Sequence, residues 1–209
     1  MYIKQVSMGL VTANCYVICD EVSKVGAVID PGDYSTQLEN EIILSGMKEL
    51  KYILLTHGHF DHISGVARLK EKHPDAKVVV GTEDAPFLSD ENLCLSRVFH
   101  FRAFPCYADE TVNDGDIIAL GETKLQVISA PGHTPGGVVY YCEKEKLAFT
   151  GDTLFKGSIG RTDLFGGDIR VLTETLNKLK KLPPETVIYC GHGESSDISY
   201  ELKYNFYLI

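Results

Sequence analysis

The stretch Thr56-His57-Gly58-His59-Phe60-Asp61-His62 places three imidazoles and one carboxylate within six consecutive residues, 57–62. It follows residues 51–55, a short apolar run that reads as a strand. Imidazole nitrogen and carboxylate oxygen are donors suited to zinc, iron or manganese. Gly58 lets the chain turn so that His57 and His59 face one point, and a helix starting at Asp61-His62 redirects the next two donors. A histidine-rich surface turn would explain one such residue; this spacing favours a metal site.

Three further segments extend the pattern outward. Ala130-Pro131-Gly132-His133-Thr134-Pro135-Gly136-Gly137 projects one histidine from a rigid turn between two strands. Phe149-Thr150-Gly151-Asp152-Thr153 ends a strand on a carboxylate, and Tyr189-Cys190-Gly191-His192-Gly193 ends another on a histidine flanked by glycines. Each alone reads as an ordinary turn residue; their order makes them specific. Asp30-Pro31-Gly32 closes an earlier strand, where Asp30 is either a turn residue or a partner for a ligand N–H.

Around these segments the pattern predicts strands at 14–19 and 25–29, a helix over 35–47, a second over 62–71 and a strand at 77–80. Residues 82–110 read as short helices and an aromatic loop (Phe99, Phe101, Phe104, Tyr107) that packs into the core. Strands follow at 117–120, 124–129, 138–141 and 147–150, then a helix over 168–181, a strand at 186–190 and a closing helix over 197–207. Hairpins over 111–150 imply antiparallel pairing, hence two packed sheets with helices outside.

The HxHxDH run, a lone His, a lone Asp and a final His, each at a strand end, resemble the metallo-β-lactamase fold, and Asp30-Pro31-Gly32 matches its early strand-end motif. The resemblance covers essentially the whole chain. It implies an α/β protein with one domain over 1–209, an αββα sandwich of two mixed β-sheets with helices on the outer faces. The segment from Gly151 through Phe155, Lys156, Gly160 and Arg161 to Asp163 is similar to the glyoxalase II-like branch. Gly191-His192-Gly193 with Glu201, Asn205 and Leu208 resembles that branch's short, hydroxyacylglutathione hydrolase-like form. Glu194 and Phe206 stand where that form usually has proline, and Ser195-Ser196-Asp197 replaces a threonine-rich stretch. Full-length glyoxalase II adds a C-terminal helical domain that helps to hold glutathione. Only 209 − 192 = 17 residues follow His192, so that extension is not expected here.

Carried onto this chain, the resemblance implies two divalent metal ions, zinc foremost, with iron or manganese acceptable. His57, His59 and His133 hold the first, Asp61, His62 and His192 the second, and Asp152 bridges them. A water shared by such a pair becomes a hydroxide near neutral pH. The implied reaction is hydrolysis of a small thioester such as an acyl-glutathione, with His57, His59, Asp61 and Asp152 at its centre. Arg161 and Lys156 either meet an anionic substrate or are solvated loop charges. Two alternatives share these motifs. A persulfide dioxygenase uses one iron on two His and one Asp, but its last-histidine segment has a His-Asp-Tyr form, unlike Gly191-His192-Gly193-Glu194. A non-catalytic metal-binding module would be expected to have lost a ligand, and none is lost. Flavodiiron oxygen reductases place a glutamate where this chain has His59. His73 and His100 read as surface or packing residues and Cys190 as a core thiol.

The 209 residues are 44% hydrophobic and 23% charged, with 20 basic and 29 acidic side chains for a net charge of −9. That supplies a sizeable core and disfavours nucleic-acid backbones and anionic membranes as partners. No apolar run approaches the roughly 20 residues of a membrane span, and the start lacks the order of a secretory signal. Six cysteines without a CxxC pair read as reduced thiols of a cytoplasmic protein. Nothing in the composition sets an oligomeric state.

Overall fold

The computed structural model describes residues 1–101 and 105–208. One six-stranded sheet runs in chain order: β1 (Tyr2–Met8), β2 (Ala13–Cys19), β3 (Val25–Ile29), β4 (Glu49–Leu54), β5 (Lys77–Gly81) and β6 (Glu110–Val112). Its first three strands pair antiparallel and its last four, β3 to β6, pair parallel. The second sheet contains β7 (Ile117–Leu120), β8 (Thr123–Ser129), β9 (Val138–Cys142) and β10 (Leu147–Gly151), then β13 (Val187–Cys190) and β14 (Ser196–Asp197). Its spatial order is β14-β13-β10-β9-β8-β7, with only β10 and β13 parallel. Between β10 and β13 lies a small hairpin, β11 (Leu154–Phe155) and β12 (Ser158–Ile159).

Burial explains the strand sequences. β2, β9 and β10 are buried along their whole length, so both faces must be apolar or small and the alternation of a half-exposed strand is lost. β8 keeps that alternation, with Thr123, Leu125 and Val127 inward and Lys124 and Gln126 outward. Between the sheets, Tyr16, Ile18, Ile29, Leu54 and Val79 meet Leu125, Val127, Tyr140 and Phe149. On the outer face of the first sheet pack α1 (Thr36–Leu44), α2 (Phe60–Ile63) and α3 (Val66–Lys72); α4 (Ile169–Leu179) and α5 (Ile198–Tyr204) cover the second. This is the expected α/β sandwich in αββα layers.

Caps fix the helix starts. Ser35 accepts from Leu38 N–H, Asp168 from Arg170 and Val171 N–H, and Asp197 from Tyr200 N–H, which satisfies donors that the first turn leaves free. α4 then buries Leu172, Leu176 and Leu179 on one face, each such side chain worth about 1.5–3 kcal/mol of transfer free energy.

Several sequence expectations change. β1 was not anticipated: it is an edge strand whose Lys4, Gln5 and Ser7 face solvent. The helix over 62–71 is two helices with Ser64-Gly65 between them, and the chain there passes so close to the Asp33 carbonyl oxygen that a Cβ on Gly65 would lie 2.2 Å from it. The first helix stops at Leu44, before Gly46 at φ +68°. Thr82–Leu88 is a 3-10 helix. The aromatic loop is only partly core: Phe101 packs against Phe60 and the outer cluster, whereas Phe99 and Tyr107 are exposed. Phe104 lies outside the described residues.

Candidate metal centre

Five of the segments singled out in the sequence leave the carboxyl ends of β3, β4, β8, β10 and β13, and all five converge at one edge of the sandwich. His57, His59, Asp61 and His62 come from the loop after β4 and from α2, on the first sheet. His133, Asp152 and His192 come from the second sheet. The centre therefore straddles the seam between the sheets, where Val138 N–H donates to the Thr56 carbonyl at 2.8 Å and Tyr140 Oη donates to that of Leu55 at 2.9 Å.

Three donor triads form among the described residues, and one of them, Asp30, His57 and His62, joins the other two through shared histidines. His57, His59 and His133 each bring one nitrogen to within 4.8 Å of the others, and one donor atom each from Asp61, His62 and His192 meets the same limit. Asp152 stands between them, with Oδ1 3.4 Å from His62 Nε2 and Oδ2 3.7 Å from His133 Nε2 and 3.6 Å from His192 Nε2. All seven residues named from the sequence are thus brought together.

Surrounding hydrogen bonds decide which ring nitrogen points inward. His133 Nδ1 lies 2.8 Å from the Arg161 carbonyl oxygen, which can only accept, so Nδ1 carries the proton and the Nε2 lone pair faces the centre. His62 Nδ1 lies 3.1 Å from Asp30 Oδ2, with the same result. Thr56 Oγ1 donates to Asp30 Oδ2 at 2.6 Å, which leaves its oxygen to accept from His57 Nδ1 at 3.1 Å. His59 Nδ1 lies 3.0 Å from His133 Nε2 and is the nitrogen that His59 turns to the centre. His57 Nε2 and Asp152 Oδ1 are buried without any hydrogen-bond partner. Buried polar atoms are rarely left so, and inward lone pairs beside an unpaired carboxylate oxygen are what a divalent cation satisfies. The donor set fits one.

The electrostatics agree. Burial, then the neighbouring imidazoles, push His57 well below its usual range and His59 down to about 3, so both are neutral donors near pH 7. Burial also opposes charge on His62, but the carboxylates of Asp152 and Asp61 outweigh it and raise that imidazole well above its ordinary value. Burial likewise works against the Asp152 carboxylate, and His62, His133 and His192 overcome it and hold the group far below the normal range.

Glycine is required at the closest approach. A Cβ on Gly191 would lie 2.1 Å from Asp152 Oδ1 and 2.9 Å from His62 Cε1. Asp30 adopts φ +49°, a conformation that aspartate tolerates better than most residues. It is held there by its own N–H donating to the Leu54 carbonyl at 2.9 Å and by the Thr56 N–H and hydroxyl donating to its carboxylate. Of the two roles open to Asp30, the structure shows the partner of a histidine N–H.

Other residues support the centre, and of these Asp84, Asn14 and Tyr16 escaped the sequence reading as supports. Asp84, fully buried, accepts from Gly58 N–H at 2.9 Å and Gly136 N–H at 2.6 Å, tying the His57–His59 turn to the loop after His133. Asn14 donates to the Cys190 and Gly193 carbonyls, and Tyr16 Oη also donates to Cys190, so the first sheet holds both sides of His192. Glu201 accepts from Gly157 N–H and from Asn205, fixing the β11–β12 hairpin. Such long-range partners have no local signature. Cys190 is a buried thiol, pushed up to about 12 by burial. His73 pairs with Glu39 away from the centre, and His100 is exposed.

A cleft of about 180 Å³ opens onto the centre, walled by Val11, Phe60, Leu95, Phe99 and Leu164, with Arg161 at its side. Phe99, expected in the core, is thus part of the wall. Arg161 is paired with Asp163 at 2.7 and 2.8 Å. Lys156 does not line the cleft and is paired with Glu194 at 2.6 Å.

Comparison with known proteins gives the same picture. The family model described as "Metallo-beta-lactamase superfamily" matches residues 8–192. The hydroxyacylglutathione hydrolase GloC of Haemophilus influenzae is 34% identical, the match covering 93% of this chain and 92% of that protein. Among solved structures, the BLEG-1 B3 metallo-beta-lactamase superposes with a TM-score of 0.92 at 33% identity, covering 99% of both chains. TTHA1623 in a di-iron-bound form does so with a TM-score of 0.87 at 33% identity, covering 98% of this chain and all of that one. Fold, donor set and similarity agree: the chain belongs to the metallo-beta-lactamase superfamily of metal-dependent hydrolases.

Proposed function

We propose that this protein is a two-metal hydrolase of small thioesters, of the acyl-glutathione kind, over a single catalytic domain, residues 1–209. The observation that carries the reading is the pair of complete donor triads with Asp152 between them. His57, His59 and His133 would hold one ion and Asp61, His62 and His192 the other, with the Asp152 carboxylate available to either. Zinc suits this mixture of imidazole and carboxylate, and iron or manganese is compatible with it; the similar TTHA1623 is described in a di-iron form. When bound, the cations supply Lewis acidity toward a carbonyl oxygen and acidify water enough for it to act as a nucleophile near neutral pH.

The chain's own residues do the rest. Burial opposes ionisation of Asp61, but His62 and His192 hold its carboxyl below the usual range, so it is an anionic acceptor in the cleft that orients a water. The water gives a proton to the Asp61 carboxylate as its oxygen bonds to the acyl carbon; the carbon–sulfur bond breaks, sulfur leaves with the electron pair and takes up a proton, and the acyl group departs as the free acid. Because a thiol has a pKa of about 8.5, that departure needs no strong general acid, and among the described residues the cleft lining offers only Arg161 beyond the donor residues. A reducing, cytoplasmic setting suits six cysteines that are all free and buried.

The test is elemental analysis of the purified protein with parallel assays of thioester hydrolysis, β-lactam hydrolysis and persulfide-dependent oxygen uptake. Two ions per chain with thioester turnover is the expected result. A single iron with oxygen uptake and no thioester turnover identifies the persulfide dioxygenase alternative instead.

A further inference from the structure

We infer that the cleft selects its substrate by the apolar character of the acyl group and does not require an anionic thiol carrier, so that thioesters of apolar acyl groups are its substrate class. This rests on the thioester-hydrolase reading above and concerns which thioester is taken.

Two features point the same way. The first is the wall. Apart from the donors His59, Asp61, His133, Asp152 and His192 and from Arg161, the described residues lining the cleft are all apolar: Val11, Phe60, Leu95, Phe99 and Leu164. Val11 and Phe99 are each 47% exposed, and their chain neighbours Leu10 and Val98 are 75% and 62% exposed. Large apolar side chains held in solvent on two loops at the rim of one cleft mark a binding surface.

The second is charge. A glutathione-type carrier presents two carboxylates, and holding them calls for unengaged cations. The Arg161 guanidinium is already spent on a two-point pair with Asp163, and the Lys156 ammonium on Glu194. A substrate carboxylate would have to displace one of these, exchanging one exposed ion pair for another, and such pairs are worth little. The net charge of −9 also disfavours approach of an anion. Selectivity is therefore left to the apolar wall, where each buried methylene contributes roughly fourfold to binding.

The experiment uses the metal-loaded full chain with acetyl, butyryl, hexanoyl and lactoyl thioesters, each on glutathione and on the uncharged carrier N-acetylcysteamine. Expected is a kcat/KM that rises from acetyl to hexanoyl by about two- to fourfold per methylene, with the two carriers within about threefold of each other. Phe99→Ala and, independently, Val11→Ser should flatten that rise; both positions are exposed, so both variants should fold. Asp163→Asn, which releases Arg161, should improve the glutathione series by a few-fold and leave the N-acetylcysteamine series unchanged. Binding of S-hexyl and S-methyl N-acetylcysteamine, read by calorimetry, should show the same preference with a more negative heat-capacity change for the hexyl compound. Lactoyl esters outpacing hexanoyl ones, or wild-type preference for glutathione by tenfold or more, overturns the inference. Turnover of no thioester by protein carrying its metal removes the hydrolase reading itself, a different result from turnover with the wrong preference.

Discussion

Asp30 and His57 do not touch, yet Asp30 sets which nitrogen of His57 is free. Its carboxylate takes the Thr56 hydroxyl hydrogen at 2.6 Å, and the Thr56 oxygen is left to accept from His57 Nδ1 at 3.1 Å. The same carboxylate takes His62 Nδ1–H at 3.1 Å, so one residue orients a donor of the triad with His133 and a donor of the triad with His192. Thr56→Val keeps the shape of the side chain and removes the relay. Metal affinity, measured by chelator competition, should fall by about 10–100-fold, and Asp30→Ala should cost more because it frees both rings. Unchanged affinity in Thr56→Val would show that the relay is incidental.

His192 is half-buried and belongs to only one triad. His192→Ala should reduce the bound metal from two ions to one and lower thioester hydrolysis by on the order of 10²-fold or more, since the second ion supplies several kcal/mol of transition-state stabilisation. Metal content and kcat measured on the same preparation check this. Full activity with one ion per chain would contradict the two-metal reading.

The metal-free protein should be most stable near pH 6.5. His57 and His59 have folded pKa values below their unfolded ones, through burial first and neighbouring imidazoles second. Below about pH 6.5 the unfolded chain therefore binds more protons than the folded one, and stability falls with pH. His62 and His192 have raised folded values despite burial, through Asp152 and Asp61. Their contribution is complete below about pH 6.5 and is lost as pH rises through the folded values. Loaded with metal, the same histidines must be unprotonated, so the optimum moves to higher pH. Thermal unfolding across pH, with and without chelator, measures both curves, and identical optima would refute the account.

Asp84 joins two donor loops by accepting one N–H on each oxygen. Asparagine would turn an amide NH2 toward one of these donors and lose that bond. Asp84→Asn should therefore cost about 1–3 kcal/mol of stability, lowering Tm by several degrees. It should also weaken metal binding, because His59 and His133 lose their common tie.

The sequence made the donors legible because each is a local event: a histidine or aspartate just past an apolar run, with glycine or proline beside it. His57, His59, His133, Asp152 and His192 have that form, and Asp61 and His62 are legible because they follow His59 directly at the start of a helix. The residues that hold them in register are not local in this way. Asn14 reaches Cys190 across 176 positions of chain and Asp84 reaches Gly136 across 52, and no local pattern reports such meetings. β1 was missed because an edge strand carries polar side chains outward and needs only Val6 and Met8 buried. Phe99 was misplaced because an aromatic run looks the same whether it fills a core or walls a cleft.

The seam through the centre has a mechanical consequence. Four donors travel with one sheet and three with the other, and the triads that His133 and His192 complete each take two from the first sheet and one from the second, so the geometry within each gauges how the halves of the sandwich sit on each other. A substitution deep between the sheets, at Tyr140 or Phe149 for instance, need not approach any donor to detune the centre, because a slip of an ångström between layers is enough to spoil a reacting geometry. Metal bound there would in turn act as a rivet, making the packed interior and the chemistry one object, sensitive to the same changes.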